Sequence, residues 1–156
     1  MPKPRSVSVN NTHPALKLKQ SEVKALYRFL DIAAAPDAIP AGELSIAFVD
    51  AQGIIQMHEQ FLADPTITDV ITFPGDEEDD FAGEICVCTD FAAQQAPLFG
   101  QSFAEELCLY LVHGWLHLAG YDDIDDDDRA EMRKAEARTM ALVREAGLVP
   151  KFELRA

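Results

Sequence analysis

The stretch HGWLHLAGYDD at residues 113–123 places two histidines four positions apart. The residues from Ser102 onward carry enough apolar side chains to predict that this stretch ends a long, central helix. On a helix, His113 and His117 share one face, so both imidazoles can converge on a single metal ion. A bare pair at this spacing is more often two partly buried, hydrogen-bonded histidines, so the residues that follow decide between the two interpretations.

Gly120 and Asp123 favour the metal site. Three residues after His117, Gly120 can take the positive φ that ends a helix and turns the chain back, so that Asp123 can reach the same ion. The spacing H-x-x-x-H-x-x-G-x-x-D matches that of the metzincin proteases, in which the last position supplies the third ligand. Those proteases need a glutamate after the first histidine as general base, and position 114 is glycine here. We therefore predict a metal site formed by His113, His117 and Asp123, but not a metzincin-type protease.

Patterns on both sides of the ligand helix predict the rest of the fold. Short apolar runs predict strands at residues 7–9, 43–50, 69–73 and 83–88, of which the last two are expected to pair as a hairpin. Amphipathic runs predict helices at residues 21–35, 51–63, from 102 onward, and from about 126 to 146. This order predicts an α/β (α+β) fold: a single mixed-sheet domain over residues 1–156, with helices packed on the sheet and the metal ligands on a central helix and the loop after it.

Charge is distributed unevenly along the chain, whose formal net charge is −14. All 13 lysines and arginines lie before residue 29 or after residue 128, whereas 22 of the 27 acidic residues lie between them. An acidic surface favours solubility and also attracts divalent cations. Binding of RNA would have to rely on the terminal basic residues, which are those of the last helix together with Lys3, Arg5, Lys17, Lys19, Lys24 and Arg28.

The location of the protein is predicted from features that the sequence lacks. No apolar run approaches the roughly 18 residues needed to cross a bilayer, and the first residues lack the apolar stretch of a signal peptide. The three cysteines are an odd number, which is typical of free thiols in a reducing compartment. We therefore expect a cytoplasmic protein without a membrane partner.

Residues 113–123 resemble the signature H-G-x-L-H-L-x-G-Y-D-H of the YbeY family at every fixed position but the last. In addition, TDVITFP at 68–74 resembles the family's T-D-V-L-S-F-P strand, GEICVC at 83–88 resembles its G-D-I-x-I strand, and Met132 stands where a methionine follows in the last helix. The likeness extends from about Leu44 to Met140. It implies a zinc-dependent endoribonuclease of ribosomal RNA maturation, with one Zn²⁺ per chain and with RNA and the ribosome as partners. Protein partners are not implied.

Two positions depart from the family pattern. The third metal ligand of the family is a histidine where this chain has Asp123; a carboxylate is a competent zinc ligand, but its negative charge makes the ion a weaker Lewis acid. Asp122 remains an alternative for this role. The arginine that the family carries before the TDV strand falls at or near Leu62, and no arginine lies nearby in the sequence. The usual cation for the scissile phosphate is therefore absent.

Three residues are candidate proton movers for hydrolysis by a metal-activated water: His58, Glu59 and Asp69. Each also fits a structural role, as part of an exposed helix face or as a hydrogen-bonding residue at a strand end. Two other functions remain open. One is a metal-stabilised, ribosome-associated binding module that no longer cleaves; the other is a metallohydrolase acting on a small or non-anionic substrate. Replacing His117 by alanine should separate enzyme from module, because only the module should lose stability and RNA processing together.

Overall fold

The structure, a computed structural model, describes residues 5–33 and 39–155. The main sheet has four strands in the spatial order β1 (Ser6–Asn11), β3 (Glu43–Val49), β5 (Phe81–Cys88) and β4 (Val70–Asp76). The pairs β1/β3 and β3/β5 are parallel, whereas β4 and β5 form the predicted antiparallel hairpin. Two short strands, β2 (Leu16–Lys17) and β6 (Glu153–Leu154), pair separately. The predicted mixed α+β fold is confirmed.

Helices cover both faces of the main sheet. The helices α1 (Gln20–Ala33), α4 (Phe103–Leu118) and α5 (Asp126–Glu145) pack on one face, α2 (Ala51–Leu62) packs on the other, and the short α3 (Thr89–Gln95) follows β5. Because alternate strand residues point to opposite faces, β3 sends Ile46 to the first core and Ala47 to the second. Both faces of β3 are therefore apolar, as is usual for a parallel strand covered on two sides.

Helix α4 is the central helix of the fold, as its apolar sequence predicts. Ser102 caps its start by accepting a hydrogen bond from the amide of Glu105, at 3.1 Å. Gly114 lies against β5, where an added Cβ would come within 2.5 Å of Ile85 Cγ2. Glycine at this position therefore lets the helix approach the sheet, and it explains why the glutamate of the proteases has no place here. The residues expected to face inward from α5 are all buried: Met132, Ala135, Met140 and Val143.

Some predictions about the elements were incomplete or wrong. Helix α3 and the β2/β6 pair were not predicted. Phe61 and Leu62 were expected on the apolar side of α2, but these residues are 56% and 60% exposed, and Phe61 packs edge-on against Phe73 instead. The C-terminal end predicted for α1 falls partly outside the described residues, as does Lys3.

Arg5 was expected to contribute to RNA binding, and its surroundings argue against this role. Its guanidinium forms an ion pair with Asp31, donates to the carbonyls of Ile39 and Pro40, and lies over the ring of Trp115. Only 16% of the side chain is exposed. Arg5 therefore joins α1, α4 and the segment before β3, and its charge is already neutralised within the protein.

The three cysteines are buried and free, as expected. Burial is the largest cause that raises the pKa of each thiol, to about 12 for Cys86 and Cys108 and to about 11 for Cys88. All three are therefore neutral core residues at physiological pH. Among the helices of residues 5–33 and 39–155, none is both long and apolar enough to cross a membrane.

Candidate active site

One stripe of α4 is polar although most of the helix is buried. Glu106, Tyr110, His113 and His117 follow one another at intervals of three or four residues, so their side chains lie on one side of the helix. This side faces the gap between α5, the start of β4 and the loop after α4, where the two clefts described below meet. The stripe therefore brings the two predicted histidine ligands to the surface next to two further ionisable groups.

His113 is held in place by an acid of the neighbouring helix. Its Nδ1 lies 2.9 Å from Glu136 Oε2, and the two side chains are only 17% and 12% exposed. Because the carboxylate accepts, Nδ1 donates the hydrogen, and the lone pair of Nε2 is left for another partner. A carboxylate behind an imidazole is the usual way in which a metal-binding histidine is oriented.

The pKa of His113 is raised by its surroundings. Burial lowers it, but the hydrogen bond to Glu136 and the negative charges of Asp69, Glu136 and Asp123 together outweigh burial. A proton and a cation therefore both find a favourable field at Nε2, and they compete for it.

Asp123 reaches His113 because α4 ends in a turn at Gly120. Gly120 has φ +107°, and its amide donates to the carbonyl of His117. The predicted left-handed turn is confirmed. Asp123 Oδ2 then lies 3.9 Å from His113 Nε2 on a half-exposed side chain. Arg129 stabilises this loop by donating to the carbonyls of Asp123 and Ile124.

His117 stands one turn after His113 with its ring in almost the same orientation. The ring planes differ by 10° and the centroids are 6.4 Å apart. Its Nδ1 is buried and has no hydrogen-bond partner within the described part of the chain. A buried polar atom left in this way is destabilising by about 1 to 3 kcal/mol. The environment of His117 is therefore incomplete without a further group.

Two histidines and an aspartate are ligands that zinc commonly takes. The distance between His113 and Asp123 is slightly longer than the distance between two ligand atoms on one zinc ion. Within residues 5–33 and 39–155, no three His, Cys, Asp or Glu side chains are close enough together to hold an ion as they stand. The 3.9 Å between His113 Nε2 and Asp123 Oδ2 compares with about 3.4 Å between two ligand atoms of tetrahedral zinc with bonds near 2.1 Å. A rotation of the half-exposed Asp123 carboxylate can remove this difference, so His113 and Asp123 are compatible with a shared ion.

Two clefts open on either side of His113. The α5 cleft, of about 370 Å³, lies toward α5 and includes Glu106, Tyr110, Arg129, Arg133 and Glu136. The β4 cleft, of about 620 Å³, lies toward β4 and includes His58, Phe61, Thr72, Phe73 and His117. Both are lined by Asp69, His113 and Asp123. These three residues therefore form a wall that the two clefts share.

Glu106 and Tyr110 are buried residues in the lining of the α5 cleft. Burial raises the pKa of Glu106, the nearby hydroxyl of Tyr110 lowers it, and the charges of Asp69 and Glu136 raise it further. Burial, followed by the charge of Glu106, raises the pKa of Tyr110. The Tyr110 phenol is therefore neutral, and the carboxylates around it create a field that attracts cations.

The three predicted proton movers are placed differently. Asp69 lies in the wall next to His113; its Oδ1 accepts from the amide of Val70 at 2.8 Å, which leaves Oδ2 free of that bond. His58 lines the β4 cleft, and its Nδ1 lies 2.8 Å from the carbonyl of Thr66. Glu59 is exposed and lines neither cleft, so the structure does not bring it to the other two.

The sequence analysis missed Glu136, Glu106 and Tyr110. A signal for Glu136 was present, because it lies between Met132 and Met140 on the face of α5 that was correctly expected to be buried. A charged residue on such a face needs a partner, and His113 is that partner. The same signal was present for Glu106, which is a charged residue on the buried helix α4, about two turns before His113.

Comparisons with known proteins point to one family. The model of the family described as Endoribonuclease YbeY matches residues 8–144. The chain is similar to Endoribonuclease YbeY of Mycobacterium leprae, with 34% identity over 147 residues, 86% of this chain and 81% of the relative. Endoribonuclease YbeY of Beutenbergia cavernae is 36% identical over 137 residues, 81% of this chain and 89% of the relative. The solution structure of TM1509 from Thermotoga maritima matches with a TM-score of 0.62 and 28% identity over 90% of each chain.

Proposed function

Because the chain belongs to the YbeY family of endoribonucleases, we propose that it is a zinc-dependent endoribonuclease that hydrolyses phosphodiester bonds of ribosomal RNA. The observation that carries the proposal is the placement of His113. It is oriented by Glu136, faces Asp123 across 3.9 Å and lies in the wall shared by two clefts. The choice of ribosomal RNA, and the ribosome as partner, rests on the family resemblance of residues 113–123.

One zinc ion per chain would be held by His113, His117 and Asp123. Zinc is usually four-coordinate, so three protein ligands leave a position open for water or substrate. When bound, the ion acidifies water and polarises a phosphoryl oxygen. Glu136 keeps the hydrogen on Nδ1 of His113, so that Nε2 remains a ligand.

Asp69 and His58 would move protons in the proposed hydrolysis, Asp69 in the shared wall and His58 in the β4 cleft. The free oxygen of Asp69 can accept a proton from attacking water in the shared wall, where its neighbour is His113. In the β4 cleft, the carbonyl of Thr66 fixes the hydrogen on Nδ1 of His58, and Nε2, which lies 3.7 Å from Asp64 Oδ2, would hold or release a second proton. Glu59 lies outside both clefts and takes no part in this scheme.

Removal of the metal tests the proposed function directly. Precursor ribosomal RNA fragments are incubated with zinc-loaded protein and with protein stripped by a chelator. We expect cleavage by the loaded protein only, and its recovery when zinc is added back. Cleavage that persists in chelator, in protein shown by mass spectrometry to be metal-free, would contradict a zinc enzyme.

Replacing Glu136 by glutamine should weaken zinc binding by roughly 10- to 100-fold, the usual effect of losing an acid behind a histidine ligand. The amide can still accept from His113, but it no longer supplies the negative charge. Competition with a zinc-sensitive dye measures the affinity. The matched control is Glu131→Gln, an exposed acid of α5 whose ion pair with Lys134 lies away from the site. Equal affinities of the two variants would show that Glu136 does not support a ligand.

A binding module without activity is favoured by two observations. In the described residues the ligand atoms are not yet assembled, and the β4 cleft is lined by no lysine or arginine. Such a module would bind zinc for stability and would hold RNA without cutting it. Zinc-loaded protein that binds ribosomal RNA but leaves it intact would favour this function over the enzyme.

A further inference from the structure

The two clefts on either side of His113 differ in charge. The described residues that line the β4 cleft include no lysine or arginine, and Phe61, Leu62 and Phe73 make part of it apolar. The α5 cleft is lined by two arginines, Arg129 and Arg133. Its other charged residues are the acids Asp69, Glu106, Asp123 and Glu136. A phosphate that approaches the shared wall would therefore meet cations from the α5 side alone.

Arg129 is already engaged with the protein. One guanidinium nitrogen donates to the carbonyls of Asp123 and Ile124, at 3.4 and 3.3 Å, and another forms an ion pair with Asp126. These contacts fix the loop that carries Asp123. Arg129 therefore acts on the metal site by positioning a ligand, and little of its charge is left for a substrate.

Arg133 is not engaged in this way. Its side chain is exposed, and it makes no hydrogen bond or ion pair with any residue of the described ranges. It lies on the same helix as Glu136, three residues earlier, so it stands at the rim of the cleft next to the acid that orients His113. A planar guanidinium can bind phosphate through two parallel hydrogen bonds, and it stays charged at any physiological pH.

We propose that Arg133 binds a phosphate of the RNA from the α5 side and so holds the scissile bond against the shared wall. This inference rests on the proposed function. It assigns the phosphate contact to α5 in a chain that has no arginine near Leu62. Bases of the RNA would then extend along the β4 cleft, where the exposed ring of Phe61 lies edge-on to Phe73.

Replacing Arg133 by glutamine tests the proposal. The zinc-loaded variant is compared with wild type and with Arg138→Gln, which removes an exposed arginine of α5 that lines neither cleft. We expect Arg133→Gln to weaken binding of a short single-stranded RNA, followed by fluorescence anisotropy, and to raise KM by about tenfold with kcat within about twofold. The slope of log affinity against log salt should become shallower by about 0.7, as for one lost phosphate contact with a single strand. Arg133→Lys should restore part of the affinity.

A second measurement identifies the phosphate. Single uncharged methylphosphonate linkages are placed at successive positions of the RNA. At one position the neutral linkage should weaken binding to wild type and to Arg138→Gln, but not to Arg133→Gln, because the contact is already lost there. Equal affinity and salt slope for the two glutamine variants would overturn the proposal. Wild-type protein that binds this RNA without cleaving it would overturn the proposed function instead. The comparison of RNA affinity between Arg133→Gln and Arg138→Gln would then still test the role of Arg133.

Discussion

Replacing His117 by alanine is expected to remove the bound zinc and to lower RNA cleavage by roughly 10³-fold or more. A catalytic metal ion typically contributes several kcal/mol of transition-state stabilisation, and each 1.36 kcal/mol corresponds to about a factor of ten in rate. Two protein ligands would remain, His113 and Asp123, which is one fewer than a catalytic zinc site normally has. Metal content by mass spectrometry and initial cleavage rates on the same preparations measure both effects.

The matched control is His58→Ala. His58 lies in the β4 cleft but is bonded to Thr66 and is not a proposed ligand. This variant should keep its zinc, and it should lose rate only to the extent that His58 moves a proton. If His117→Ala retains zinc and full activity, the metal site is wrong. If it loses its thermal stability in the absence of zinc as well, the effect on cleavage reflects unfolding, and rates have to be compared at a temperature where both proteins are folded.

Much of the candidate site could be predicted from residues 113–123 because its parts are local. Two histidines four residues apart share a helix face wherever the helix lies, and a glycine that must take positive φ ends the helix in the same way in any fold. The structure confirms the helix and the turn at Gly120 and places Asp123 near His113. The family resemblance, carried by the same residues, is confirmed as well.

The parts that were missed depend on contacts between distant segments. Glu136 matters only because α5 packs beside α4, and the sequence does not state which residue of one helix meets His113 on the other. Arg5 illustrates the opposite error. By its position near the N-terminus it was expected to contribute to RNA binding, yet the segment before β3 and the ring of Trp115 enclose it. Long-range packing determined both outcomes.

The fold, too, was predicted where it depends on local patterns and missed where it depends on contacts between distant segments. The four main strands and the long helices have periodic apolar patterns, and all of them were predicted within a few residues. Strands β2 and β6 are two residues each, and they exist because Leu16 meets Leu154 near the other end of the chain. Helix α3 is seven residues long and is capped by the thiol of Cys88, which accepts from the amide of Phe91 at 3.4 Å, so it lacks the usual capping residue.

Replacing Asp123 by alanine should weaken zinc binding severely, whereas Asp122→Ala should leave it nearly unchanged. Asp123 lines both clefts and its carboxylate lies 3.9 Å from His113 Nε2. Asp122 is exposed and lines neither cleft. The two acids are adjacent and equally charged, so the pair separates a ligand from a general effect of charge on cation binding. Zinc affinity and cleavage rate are measured for both variants.

The variant Asp123→His then tests what the carboxylate does to the ion. Three neutral imidazoles leave more positive charge on zinc than two imidazoles and a carboxylate do, so the ion should be a stronger Lewis acid. We expect this variant to bind zinc and to cleave RNA at least as fast as wild type, while Asp123→Ala does neither. Loss of zinc in Asp122→Ala but not in Asp123→Ala would move the third ligand to Asp122. It would also require the loop after Gly120 to turn differently when the metal is bound, because in the structure the carboxylate facing His113 is that of Asp123.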